Sequence, residues 1–490
     1  MGCVLILAEK PSVAKNIADA LEIKKKQDGY FEGNGYLITW AYGHLLELYD
    51  AKDYDSKMSR WKMENFPFIP EQFKYKSKKS SSGGKRSGGS AAKQLKTIHY
   101  LMKRTDVDAI ISACDYDREG QLIGDSIIYK AKTRKQVYRL LLNEWTEEAV
   151  LDGLQHLKPN TELRPLLDAG MSRQWADWVI GINLTSVATL KYQKGRGNVL
   201  NIGRVLLPTL KIIYDRDKEI ADFVPEDYFK LAATFKTNQE QVYDGTYTVG
   251  KNDKFPKKEV LQDVQNRIAD KKGIVTDKKV AKRKELPPLL FNLSNLQGYI
   301  TNKYAGWTAG KVLKIAQALY EKKFITYPRT ASMALEESLT GRAKKVLEIL
   351  SDGMPYQDKI RFTKSKRVFN NAKVESHSAI IPTYKQPKRL SPDEKIVYET
   401  IKNRFIMQFM PAAVYEETTI ATSVPDADLE GIFLSKGRVE LEPGWKQVEN
   451  WQTNDKLLPV VEKDEMVQLT KAEISKHTTK PPSRIQKKRY

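Results

Sequence analysis

Three carboxylates at the ends of apolar runs are the first candidates for chemistry. Asp115-Tyr116-Asp117-Arg118-Glu119-Gly120 follows Val107-Asp108-Ala109-Ile110-Ile111, which reads as a buried strand. Residues two apart in a strand point to the same side, so Asp115 and Asp117 can present two carboxylates together. The C-terminal edge of such strands is where open α/β sheets bind ligands. Glu9 ends a second apolar run, Val4-Leu5-Ile6-Leu7, and can join the pair. Clustered carboxylates repel one another. A hard divalent cation such as Mg²⁺ relieves this and keeps waters or phosphate oxygens in its shell. The competing reading is an acidic surface turn with solvated charges. An isolated D-x-D would favour that; a second acid at the end of another buried strand weighs against it.

A tyrosine is the next candidate. In Phe324-Ile325-Thr326-Tyr327-Pro328-Arg329-Thr330, Pro328 disfavours helix at Tyr327, and Arg329 can grip a phosphate with a fork of donors. A tyrosine beside a proline is, taken alone, more often packing. Arg173 and Asp177 are one helical turn apart and can pair. Gly203-Arg204 follows the basic Lys194-Gly195-Arg196-Gly197, and His44 and His377 are two of five histidines. Each alone reads as structural before functional. Gly310-Lys311 is followed by Val312, and residue 305 is alanine, so no Walker A loop exists there. There is no G-x-S-x-G, and two cysteines, Cys3 and Cys114, cannot make a four-cysteine zinc site. Neither ATP nor zinc is expected.

These residues need elements to hold them. A chain of 490 residues exceeds what one core usually serves, so two to four domains are expected. Hydrophobic residues at 41% and charged residues at 29% exclude a largely disordered chain. The excess of 82 − 61 = +21 basic charges points to a polyanion, nucleic acid or an anionic membrane. No apolar run reaches the length that spans a bilayer, and the N-terminus lacks the basic start and cleavage site of a signal peptide. A cytoplasmic protein is expected, with nucleic acid preferred over membrane.

Over residues 1–150 strands alternate with helices, the first opened by Pro11 and running to about Leu21, which suggests a parallel sheet. Lys76 to Ala92 is low in complexity, either a solvated loop or a basic arm for phosphates. Residues 146–190 read as helical: Val150, Leu151, Leu154 and Leu157 share one face, Trp175, Trp178, Val179 and Ile182 another. Val312, Ile315, Ala316 and Leu319 predict a further helix with Thr308 as its cap. Phe229–Phe235, Thr418–Thr422 and Leu429–Leu441 are rich in β-formers, with Pro425-Asp426 as turn chemistry. They flank the helical middle, as in a β-domain entered twice by the chain.

In combination these stretches resemble the type IA DNA topoisomerases, most closely the topoisomerase III branch. Ala8-Glu9-Lys10-Pro11-Ser12-Val13-Ala14 looks like the family's opening motif, and Asp115-x-Asp117-Arg118-Glu119-Gly120 like its Toprim acidic motif. Gly43-His44-Leu45 and Trp61-Lys62 fall between them. Arg173 to Asn183 resembles the helix lining the DNA groove, and Gly203-Arg204-Val205-x-x-Pro208-Thr209-Leu210 a DNA-contacting loop. Leu290 to Gln297, Ile325 to Thr330 and Ser376 to Thr383 follow in the family's order.

The resemblance implies a multidomain α/β, α and β chain: a Toprim α/β domain followed by a toroidal core. The expected boundaries are 1–152 for Toprim with a flexible basic insert at 76–92, and 153–222 for a helical DNA-groove domain. A β-rich arch takes 223–287 and 405–480, a helical domain with the tyrosine 288–404, and a tail 481–490. The implied activity is ATP-independent: Tyr327 cleaves one DNA strand through a 5′-phosphotyrosine link, another strand passes, and the break reseals, relaxing or decatenating DNA. Glu9, Lys10 and Arg329 would assist Tyr327. Glu9, Asp115, Asp117 and Glu119 would hold Mg²⁺, or Mn²⁺ in its place. His44, Trp61, Arg173, Asp177, Asn201, Ile202, Gly203, Arg204, Val205, Leu206 and His377 would contact DNA. The expected partner is single-stranded DNA, in negatively supercoiled or catenated substrates, with no membrane and a monomeric protein.

Three positions depart from the family. Ala331 stands where aspartate is usual, Leu206 where glutamine is usual, and the chain stops at Tyr490 where members continue through another helical segment. The last departure keeps two alternatives open: a single-stranded-DNA-binding clamp with impaired strand passage, or a Toprim nuclease using the same acids without Tyr327.

Overall fold

The computed structural model describes residues 2–78, 88–193, 198–374, 377–451 and 454–485. Within the stretches read above, residues 79–87 of the low-complexity insert, Lys194-Gly195-Arg196-Gly197, Ser376 and tail residues 486–490 lie outside the described residues.

Strand Cys3–Ala8 is apolar on both faces because both are covered. Ile6 and Ala8 pack with helix Pro11–Ala20, while Leu5 and Leu7 pack with helices Gly88–Lys103 and Arg118–Ala131. It sits at the centre of seven strands, ordered Lys26–Gln27, Tyr30–Gly33, Tyr36–Trp40, Cys3–Ala8, Val107–Ala113, Gln136–Arg139 and Lys158–Pro159. The middle four strands are parallel and the edges antiparallel. Parallel pairing with Ala8 opposite Ala113 brings the C-terminal ends of the two central strands to one place.

Helix Arg164–Gln193 follows, 30 residues long, or about 45 Å at the α-helical rise. It packs on helix Arg118–Ala131. Its Trp175 stacks on Phe73 at 4.8 Å, and Trp178 meets Phe68 at 6.1 Å, which lays the 54–75 loop along the helix. Asn183 fixes that loop by bonding both the N–H and the carbonyl of Phe68. Helix Leu206–Ala221 then runs with none of its residues buried.

Alternating β-formers produce a closed antiparallel barrel. Its order is Asp227–Lys236, Val242–Thr248, Ile432–Glu442, Ala413–Ser423, Lys272–Glu285 and Met466–Thr478, the last pairing back to the first. Phe235, Tyr247, Phe433 and Val467 fill it. The chain thus visits the barrel twice, and helices Leu293–Lys303, Ala309–Glu321, Thr340–Ser351 and Pro392–Met407 lie between the visits. Thr308 caps the second of these, its hydroxyl accepting from the Lys311 N–H at 3.1 Å.

One apolar cluster joins the α/β unit to these helices. Val13, Trp145 and Val150 from the first pack with Leu319, Tyr320, Ile325 and Tyr327 from the second. This seam is what places Tyr327 at the sheet's C-terminal edge.

Candidate active site

Glu9 and Asp115 leave the two central strands side by side. Glu9 Oε2 accepts from the Asp115 backbone N–H at 3.2 Å, and the residues are only 7% and 4% exposed. Lys10 Nζ lies 3.5 Å from Glu9, 3.7 Å from Asp115 and 3.7 Å from Glu321. Burial alone would lower the Lys10 pKa, but these carboxylates outweigh it and raise it. Burial, reinforced by the charge of Glu9, pushes Asp115 up to about 7, with Lys10 offsetting only part. Asp115 Oδ1 is buried without a hydrogen-bond partner.

Asp115 and Asp117 do not converge through strand alternation. The strand ends at Ala113, and both acids lie in the tight turn that follows. Asp117 caps helix Arg118–Ala131, its Oδ1 accepting from the Gly120 N–H at 2.7 Å. The turn demands glycine at 120, where a Cβ would lie 2.2 Å from the Asp115 carbonyl oxygen.

The other Asp117 oxygen, Oδ2, accepts from Tyr327 Oη at 2.7 Å. Tyr327 is 1% exposed. Burial, then the nearby Asp115 and Asp117 charges, hold its phenol well above the ordinary tyrosine range. Its backbone N–H donates to the Asn143 carbonyl at 2.8 Å. The His377 ring lies 4.3 Å from the Tyr327 ring, and its Nδ1 is 2.5 Å from Asn143 Oδ1. Burial lowers His377 to about 4, so the ring is neutral near pH 7. Arg329 is exposed at this edge, and its charge favours the ionised forms of Asp115 and Tyr327. Glu119 is exposed and turns to His44, Nε2 to Oε2 3.0 Å.

The remaining candidates form a second set on helix Arg164–Gln193 and the segment after it. Arg204 Nε donates to Asp177 Oδ1 at 2.6 Å, and Arg173 lies 3.9 Å from the same carboxylate. Asp177 is therefore shared, with Arg204 the closer partner. The Thr185 hydroxyl bonds both the N–H and the carbonyl of Ile202 at 2.9 and 3.2 Å. Asn201 is exposed and Gly203 half-buried, and Val205 and Leu206 are 63% and 58% exposed. Trp61 is half-buried before the turn Met63–Asn65. His377 stands apart from this set, beside Tyr327.

Residues 4–145 match the model of the Toprim domain, and residues 162–489 match that of the DNA topoisomerase family. The chain belongs to the type IA DNA topoisomerase family. It is 34% identical over 487 residues to DNA topoisomerase 3 of Staphylococcus aureus strain NCTC 8325, and 33% identical to that of strain MRSA252. Each alignment covers 98% of this chain and 65% of the relative, so the chain spans about two thirds of their length. Full-length topoisomerase I from Thermotoga maritima is similar in structure, with a TM-score of 0.72 and 25% identity, over 99% of this chain and 74% of that one.

Within this topoisomerase fold, several residues at the Toprim edge carry no local sequence signal. Arg139 is fully buried and donates to the carbonyls of Ser112, Cys114 and Asp115 at 2.8, 3.2 and 3.1 Å, pinning the acidic turn from behind. Glu144 is 3% exposed and faces Arg342 at 3.5 Å across the seam. Glu321 could have been noticed: an acid in the last turn of a helix opposes the dipole and calls for partners. Ser12 Oγ supplies one at 3.1 Å, and Lys10 another.

Among the described residues, no three His, Cys, Asp or Glu side chains form a ready ligand group. The paired acids Glu9 and Asp115 remain, with the orphaned Asp115 Oδ1 and Asp117 beside them. Mg²⁺ is usually held by one or two carboxylates plus substrate phosphates, and this donor set fits that mode.

Proposed function

We propose that this chain is an ATP-independent type IA topoisomerase acting on single-stranded regions of negatively supercoiled or catenated DNA in the cytoplasm. The observation that carries the reading is the bond from Tyr327 Oη to Asp117 Oδ2, 2.7 Å long, at the edge where Glu9, Lys10 and Asp115 converge. A buried tyrosine hydroxyl among acids and a lysine is costly as packing and useful as a nucleophile.

Tyr327 Oη attacks the scissile phosphorus while its proton passes toward Asp117. The bond from phosphorus to the 3′-oxygen breaks, and Glu9 gives that oxygen its proton. Lys10 and Arg329 neutralise charge that develops on the phosphoryl oxygens. The phosphodiester is exchanged for a phosphotyrosine of similar energy, so the 3′-hydroxyl can reverse the step without ATP. Glu9, Asp115 and Asp117 would hold Mg²⁺ or Mn²⁺, which supplies positive charge for the phosphate and for the acids themselves. Because Tyr327 is 1% exposed, a phosphate reaches it only when the seam loosens. Arg173, Asn201 to Leu206, Trp61 and His44 hold the strand, Asp177 restrains Arg204 and Arg173 beside it, and His377 lines the tyrosine pocket. The working units are residues 1–152, 153–222, 223–287 with 405–480, and 288–404.

The test is to mix the chain with end-labelled single-stranded DNA, denature it, and look for label bound to protein. Wild type should carry label, and Tyr327→Phe should carry none while binding DNA as tightly. Binding without adduct in the wild type would leave a clamp. Adduct persisting in Tyr327→Phe would remove the tyrosine from its role.

A further inference from the structure

We infer that Asn143 is a positioning residue of the cleavage site, holding the main chain of Tyr327 and the ring of His377 together from the Toprim side. The inference rests on the reading of Tyr327 as nucleophile and adds a residue to it.

Asn143 lies between strand Gln136–Arg139 and helix Glu147–Gln155. Its flanks are anchored, with Leu140 and Trp145 each 1% exposed. From that fixed point it makes two bonds into the helical domain. The carbonyl accepts from the Tyr327 N–H at 2.8 Å, and the side-chain Oδ1 meets His377 Nδ1 at 2.5 Å.

The second bond has a chemical consequence. An amide oxygen only accepts, so His377 Nδ1 must be the donor. In a neutral imidazole the other nitrogen then carries the lone pair. The Tyr116 backbone also approaches the ring, but His377 Nε2 is buried and meets no acceptor at hydrogen-bond geometry. Asn143 thereby selects the Nδ1–H tautomer and fixes the orientation of a ring that lies 4.3 Å from the Tyr327 ring and tilts 36° to it. Remove the amide, and the ring is free to turn or change tautomer, and the wall beside the nucleophile is no longer defined.

The arrangement is conditional on docking. Tyr327 and His377 lie on one side of the seam and Asn143 on the other. The same strip carries Glu144, 3.5 Å from Arg342, and Glu148, 3.0 Å from Lys345. Any movement that lifts the strip releases the tyrosine backbone and the histidine ring in one step, so alignment of the nucleophile reports closure of the two domains.

The test uses the full chain and a labelled single-stranded oligonucleotide, with adduct formation followed in single turnover. Asn143→Ala should slow adduct formation by about tenfold, the kinetic equivalent of one lost hydrogen bond, with oligonucleotide affinity within about twofold. The chain has five histidines, so ¹⁵N-histidine spectra can follow His377 directly, with His377→Gln to assign it. Wild type should show the Nδ1–H tautomer, Asn143→Ala a shift toward Nε2–H, and Asn143→Asp, which keeps an acceptor oxygen, a return to Nδ1–H. A merely structural asparagine would not move the tautomer. The inference is overturned if Asn143→Ala cleaves at the wild-type rate, or if the tautomer does not depend on residue 143. If the wild type forms no adduct at all, the nucleophile reading fails instead, and the histidine spectra still decide whether Asn143 sets the ring.

Discussion

The seam that holds Tyr327 and the helix Leu206–Ala221 treat apolar surface in opposite ways. Across the seam, Leu319, Tyr320 and Tyr327 are at most 1% exposed and pack with Trp145 and Val150 from the α/β side. Along the helix, Leu206, Leu210, Ile212 and Tyr214 are 56–64% exposed, and no residue is buried. Its long-range polar ties are few: Arg216 donates to the Ser483 carbonyl at 2.8 Å, and Asp217 lies 3.7 Å from Arg484. The proposed chemistry thus sits where packing fixes each group. Val205 and Leu206 of the proposed DNA grip sit where packing fixes almost nothing and adjustment to a strand costs little.

The largest effect expected from this contrast is on stability. Leu319→Ala opens a cavity in the closed seam and should cost about 2–5 kcal/mol. Leu210→Ala, on the helix at 56% exposure, should stay within about 0.5 kcal/mol. Chemical denaturation of both variants checks this. Equal losses would mean that the helix is packed in solution and that the contrast is false.

The next effect is on chemistry alone. Asp115→Ala with Asp117→Ala should slow resealing by roughly 100-fold, because the acids that position metal and broken ends are gone. Single-stranded DNA affinity should change less than about threefold, since binding draws on basic side chains elsewhere. Relaxation that survives both the double substitution and a chelator would overturn the metal assignment.

How far the sequence revealed these regions differs for each. Val4–Leu7 reads as a strand because its apolar run has no polar face, and the structure covers it on both sides. Thr308 reads as a cap because hydroxyls accept from free amides, and it does so. The family motifs bring Glu9, Asp115, Asp117 and Tyr327 to notice, and the fold gathers them at one edge. The route is different from the one alternation suggested: Asp115 and Asp117 share a turn whose geometry depends on Gly120, and nothing in a D-x-D spacing announces a helix cap. Asn143, Glu144 and Arg139 escaped notice because their partners lie far along the chain or are backbone carbonyls. No local pattern encodes such bonds. On the groove side, Arg173 and Asp177 were legible as a helical pair, but the shorter bond goes to Arg204, across a loop.

That loop supplies the smallest and most discriminating effect. Arg204 and Asp177 are both well exposed, their side chains 42% accessible, so their ion pair is weak support for the fold. Arg204→Ala should leave the unfolding transition unchanged. Binding to single-stranded DNA should weaken about three- to tenfold, and the slope of log affinity against log salt should fall by about 0.7, one phosphate contact fewer. Asp177→Asn should act with the opposite sign, because it frees both Arg204 and Arg173 for phosphates. The adduct-forming rate at saturating DNA should be unchanged in either variant, since neither residue touches the tyrosine pocket. Equilibrium titrations at several salt concentrations, paired with single-turnover cleavage, measure all of this. If Arg204→Ala lowers the saturating rate as much as the affinity, grip and chemistry are coupled, and the exposed helix takes part in assembling the site as well as in holding the strand.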